Sequence, residues 1–64
     1  MQIETNEYVR SHMRAPRGRG SWAFRFDNAN DNWFAPSLLT YAEACAAARR
    51  EAVVRRARRI SVQP

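Results

Sequence analysis

Eleven arginines and no lysine carry the side-chain positive charge of this 64-residue chain. They fall into two groups. Arg10, Arg14, Arg17, Arg19 and Arg25 form the first, with no acid between them. Arg49, Arg50, Arg55, Arg56, Arg58 and Arg59 form the second, interrupted only by Glu51. A guanidinium is a planar fork of donors that pairs bidentately with phosphate or carboxylate and stacks on aromatic rings. Against these stand six acids, Glu4, Glu7, Asp27, Asp31, Glu43 and Glu51, leaving a net charge of +5. In so short a chain that surplus favours an acidic partner, either nucleic acid or an acidic protein surface. A GC-rich coding sequence also yields arginine without lysine, and the two explanations are compatible.

The stretch "RAPRGRG", residues 14 to 20, is the sharper candidate, because Gly18 and Gly20 let the backbone approach a partner closely. Its plainer reading is a soluble turn. The second group doubles as a helix end whose arginines complement the negative pole of the helix dipole. Trp33 and Phe34, beside the polar run "NANDN", either stack on a partner or complete the core. The expected partner-binding set is therefore Arg10, Arg14, Arg17, Arg19, Arg25, Arg49, Arg50, Arg56, Arg59 and Trp33.

Other chemistry finds little support. The sequence contains no lysine, no nucleophile elbow and no phosphate loop. One thiol, Cys45, and one imidazole, His12, cannot fill a tetrahedral zinc site. Cys45 also belongs to an alanine-lined helix face, where it reads as a small core side chain rather than a nucleophile. The expectation is a protein that is not an enzyme and needs no metal or cofactor.

The elements that must position the arginines follow from periodicity. "NEYVRSHMR", residues 6 to 14, alternates loosely and reads as a half-buried strand. In "SWAFRFD", residues 21 to 27, Trp22, Phe24 and Phe26 share one face and Ala23, Arg25 and Asp27 the other. The arginine–glycine segment would then be the tip of a hairpin. "NANDN" is turn chemistry and "NWFA" a short returning strand. "TYAE", residues 40 to 43, is a capping box that opens a helix. Around that helix Tyr41, Ala44, Cys45, Ala48 and Ala52 form one face, and small residues there complement the large aromatics of the strand. The helix should end between residues 53 and 58, although "VVRRAR" offers no glycine to stop it. "RISVQP" closes the chain as a strand with Ile60 and Val62 inward.

The reading is a single α+β domain over residues 1 to 64, with order β-β-(β)-α-β and one helix on a small antiparallel sheet of three to four strands. A core of this size is marginal without a staple, and a lone cysteine forms no internal disulfide. Docking onto a partner or weak homodimerisation is the remaining source of stability. No apolar run approaches the roughly 20 residues of a membrane span. The free thiol and lack of a secretory leader lead to an expected location in a reducing cytoplasm.

"RGRGSWAFRF", "TYAEACAAARREA" and the "RISVQP" ending together resemble a family of small proteins from phages, plasmids and integrated elements of proteobacteria, of the kind that includes anti-CRISPR proteins. The resemblance covers roughly residues 17 to 63 and its motifs are structural. It implies a non-enzymatic inhibitor that binds a CRISPR-Cas surveillance complex or effector and sterically blocks DNA binding or nuclease recruitment. Arg14, Arg17 and Arg19, with Arg10 and Arg25 beside them, would then pair with carboxylates on the target. The competing expectation is an arginine-rich nucleic-acid-binding module whose arginines meet phosphates directly. A third is an accessory subunit that pairs with itself through a sheet edge.

Overall fold

Trp22, Phe24 and Phe26 point to one side of an extended segment, and the rest of the core gathers on that side. In the computed structural model, which describes residues 1–64, the elements are β1 (Ile3–Glu4), α1 (Asn6–His12), β2 (Arg19–Gly20), β3 (Ala23–Phe26), β4 (Trp33–Phe34), β5 (Leu39–Thr40), α2 (Tyr41–Arg55) and β6 (Ile60–Val62). The main sheet has the order β1-β6-β3-β4. β3 lies antiparallel to both neighbours, with Phe26 opposite Ile60 and Phe24 opposite Trp33. A separate ribbon pairs β2 with β5.

The chain is thus α+β, and α2 packs as its alternation of small residues requires. Ala44, Cys45, Ala48 and Ala52 join the same cluster as Phe24, Phe26, Ile60 and Val62, the last four having no exposed surface at all. Alanine on the helix lets it approach the sheet closely, and the rings fill the space between. Both halves of the capping box form: the Glu43 amide donates to the Thr40 hydroxyl and the Thr40 amide to the Glu43 carboxylate, at 3.2 and 3.0 Å. α2 stops at Arg55, and Arg56 takes the left-handed position, φ 59°, that a glycine usually fills.

Three expectations change. "NEYVRSHMR" is not a strand: residues 6 to 12 form α1, with only Tyr8 buried. Its alternation is too short to decide between periods. The deciding features are Glu7 in the first turn, Arg10 and His12 in the last, and a Tyr8–His12 stack one helical turn apart, centroids 4.0 Å. Second, the arginine–glycine segment is therefore no hairpin tip but the connection from α1 to β2. Third, the sheet is mixed rather than antiparallel, because β1 adds in parallel to β6 with Ile3 opposite Ile60. The order becomes β-α-β-β-β-β-α-β, with two helices.

Candidate functional site

The connection from α1 to β2 is anchored by the carbonyl of one glycine. The Gly18 oxygen accepts from the indole nitrogen of buried Trp22 at 3.1 Å and from the backbone amide of Tyr41 at 2.8 Å. Gly18 sits at φ +84°, a conformation that L side chains rarely adopt. These contacts tie the segment to both the aromatic strand and the start of α2. The arginines on either side thus flank a point of the backbone held by two hydrogen bonds.

Arg14, Arg17 and Arg19 line one cleft of about 360 Å3. α1 contributes Tyr8 and His12, the start of β3 contributes Trp22 and Ala23, and β4 contributes Phe34. The chain end closes it with Gln63 and Pro64. None of the lining residues is an aspartate or glutamate. Arg19 donates from Nη1 to the Leu38 carbonyl at 2.9 Å, while Arg14 and Arg17 form no hydrogen bond or ion pair within the chain. Gln63 holds a buried Nε2 that donates to nothing in the protein.

The other expected site residues scatter. Arg10 is exposed on α1, a helix rather than the strand foreseen for it, and lies outside the cleft. Arg25 projects from β3 and gives two hydrogen bonds, 3.2 and 3.1 Å, to the Asn32 side-chain oxygen. Arg25 and Arg59 share a smaller depression of about 230 Å3 with Glu4 and Asp27, so their charge is matched locally. Arg49 donates to the Met1 carbonyl at 2.8 Å, tying the chain start to α2. Arg50 and Arg56 are exposed and touch neither depression. Arg59 and Gln63 flank β6 at opposite ends, about 13 Å apart at ~3.3 Å per residue, so the cleft draws its arginines from the first group alone.

The remaining members of the second group serve the fold. Arg55 pairs with Glu51 at 2.7 Å, the one ion pair in the molecule, and its guanidinium carbon stands 4.9 Å from the centre of the Phe26 ring. The Arg58 amide donates to Asp27 at 2.9 Å, and Asn28 donates to the Arg55 carbonyl at 2.8 Å. The hydrogen bond from Arg58 holds the Asp27 carboxyl below its usual pKa.

Trp33 is half-buried, its ring 5.9 Å from Phe26 and 6.2 Å from Phe24 between centroids, and it covers the core edge. Its neighbour Phe34 is the exposed ring, at 66%. Sequence reasoning missed Tyr8, His12 and Gln63 as cleft residues, and it left Phe34 open between partner and core. The strand alternation supplies a signal for Phe34, since adjacent residues of β4 must face opposite ways. No local signal brings Gln63 to Arg14.

Cys45 is buried, and desolvation pushes its thiol pKa upward, away from a reactive thiolate. Burial, with the hydrogen bond to Cys45, likewise raises the Tyr41 hydroxyl. No three histidine, cysteine, aspartate or glutamate side chains come together as metal ligands, and no helix is long and apolar enough to cross a membrane. What the cleft offers chemically is a set of hydrogen-bond donors with positive charge and an aromatic wall. No family model, no curated protein and no solved structure matches the chain.

Proposed function

We propose that this protein acts by binding rather than by catalysis, as an inhibitor of the anti-CRISPR kind that occupies a nucleic-acid-handling CRISPR-Cas assembly and blocks its access to DNA or nuclease. The cleft of Arg14, Arg17 and Arg19 grips anionic groups of that target, and Phe34 supplies apolar anchoring area beside them. Arginine and aromatic side chains are the usual composition of an interface hot spot. The observation that carries the reading is that these three arginines share one cleft lined by no aspartate or glutamate, and none of them forms an ion pair with an acidic side chain. The identity of the target assembly rests on the resemblance of "RGRGSWAFRF" and "TYAEACAAARREA" to proteins of that kind.

The test is capture of the tagged protein's partners from host lysate, with and without nuclease, comparing wild type with Arg17→Ala/Arg19→Ala. The reading expects a CRISPR-Cas protein in the wild-type capture, retained after nuclease, and lost with the double variant while the fold survives. A second reading, direct binding to nucleic acid, is favoured by the aromatic ring set among guanidinium groups. If phosphates provided six or more contacts, affinity would fall by orders of magnitude between roughly 50 and 200 mM salt. Retained nucleic acid with no specific protein would establish that second reading instead.

A further inference from the structure

We infer that the Arg14–Arg17–Arg19 cleft is a site for one nucleotide carrying a terminal phosphate. This rests on the reading of the cleft as the partner-binding surface and names the chemistry it grips. Four observations lead there.

The first is charge. The cleft has three guanidinium groups and no aspartate or glutamate among its lining residues, whereas the second depression sets Glu4 and Asp27 beside Arg25 and Arg59. A carboxylate offers one charge and two oxygens. A phosphate monoester offers a charge of about −1.5 to −2 and three terminal oxygens, a closer match to three forks.

The second is a spare donor. Gln63 lines the same cleft, and its buried Nε2 donates to no protein acceptor. A buried donor without an acceptor is costly to keep. The atom has almost no accessible surface, so an oxygen-rich ligand becomes its acceptor only once the Gln63 side chain turns toward the cleft. Because Gln63 comes from the far end of the chain, it is independent of the arginine segment.

The third is the wall. Phe34 lines the cleft with two-thirds of its surface exposed, and exposed His12 lines it from α1, its ring stacked on buried Tyr8. Flat heteroaromatic rings stack on such side chains without needing a particular sequence.

The fourth is size. About 360 Å3 falls at the lower end of the ~300–1,000 Å3 range of small-ligand sites. That suits one nucleotide rather than a duplex. The ligand class has two sources, a free nucleoside monophosphate and the phosphorylated end of a single strand.

Isothermal titration calorimetry with AMP, adenosine, inorganic phosphate, and a short single-stranded RNA with or without a 5′-phosphate tests the inference. AMP should bind about tenfold or more tighter than either adenosine or inorganic phosphate, since stacking and phosphate contacts add. Phe34→Ala should erase the advantage of AMP over phosphate and leave phosphate affinity unchanged. Arg17→Ala/Arg19→Ala should weaken AMP and phosphate together. Equal affinity for AMP and the phosphorylated RNA would assign the free nucleotide as sufficient; tighter RNA binding would assign the strand end. AMP no tighter than phosphate, indifference to Phe34→Ala, or binding of neither AMP nor phosphorylated RNA would overturn the inference. An amide NMR spectrum of each variant confirms the fold. If lysate capture depends on Arg17 and Arg19 while AMP does not bind, the inference fails and the partner reading stands. If capture is indifferent to both arginines, the partner reading itself fails.

Discussion

Alanine at Gly18 and alanine at Gly20 should have opposite consequences, although the two glycines are two residues apart in the same arginine-rich segment. An added Cβ meets nothing within 4 Å at either site, so steric overlap does not distinguish them. Backbone conformation does. Gly18 has φ +84°, while Gly20 has no positive φ. Holding an L residue in that region costs about 1–2 kcal/mol. Relaxing the peptide instead would disturb the Gly18 carbonyl, which accepts from Trp22 Nε1 and the Tyr41 amide; each such bond contributes about 0.5–1.5 kcal/mol. Either route ends near the same loss. Replacing glycine also stiffens the unfolded chain, a gain of about 0.4–1 kcal/mol, but that gain is common to both variants and cancels in their difference. Gly20→Ala should therefore be neutral to slightly stabilising, and Gly18→Ala less stable than it by about 1–2 kcal/mol. For 64 residues total stability is about 3–10 kcal/mol at ~0.05–0.15 kcal/mol per residue, so the difference is a visible fraction. Urea unfolding followed by tryptophan fluorescence would read it as a shift in midpoint with unchanged slope. By heating, the pair should differ by about 4–8 °C per kcal/mol. Equal midpoints would refute the account of Gly18 as the anchor of the cleft.

Met13 closes α1 in the left-handed region, φ 61°, with its side chain exposed; Met13→Gly should therefore raise stability by about 0.5–1 kcal/mol in the same urea assay. Cys45 should react with a thiol reagent at least about tenfold more slowly in the native protein than in urea, because reaction requires opening of the core; equal rates would contradict its burial. Asp27 and Glu43 both have depressed carboxyl pKa values, the first through the Arg58 amide and the second through the backbone amide of Thr40. A lowered folded-state value means the stabilisation is present above the unfolded carboxyl pKa, about 4, and is lost as pH falls through the folded value. Stability should thus decline on acidification below about pH 4, and Asp27→Asn, which keeps an acceptor for Arg58 but does not titrate, should flatten that decline.

The parts of the fold that could be read from sequence are those fixed by neighbours in the chain. β3, the turn after it, the Thr40–Glu43 box and the alanine face of α2 each state their structure within a few residues, and each forms. The inward Ile60 and Val62 follow from alternation alone. What failed was set by distance or by competition. β1 acquires strand structure only by meeting β6 across nearly the whole chain. α1 is seven residues long, too short for periodicity to separate helix from strand, and its end charges were the better guide. The cleft was half legible: three of its arginines stand in one motif, but Tyr8, Phe34 and Gln63 reach it through tertiary structure.

Identical residue types have gone to different uses here, and the difference lies in what surrounds them. Near α2's end, Glu51, Phe26 and the β3–β4 turn offer acceptors and a ring to the second arginine group, so Arg55 and the backbone of Arg58 are drawn into the fold. Near the chain's first third, Arg14 and Arg17 find no such partners. Glu7, the nearest acid in sequence to Arg14, sits outside the cleft lining. A small domain with few acids can neutralise only some of its arginines, and those it leaves unpaired stay exposed unless something binds them. Here the unpaired ones lie within four residues of the hydrogen-bonded Gly18 carbonyl and line a cleft with a bare phenylalanine. Solubility alone would be served equally well by arginines on a mobile loop. A fixed mounting matters only where geometry does, because a preorganised donor set loses less freedom when its ligand arrives.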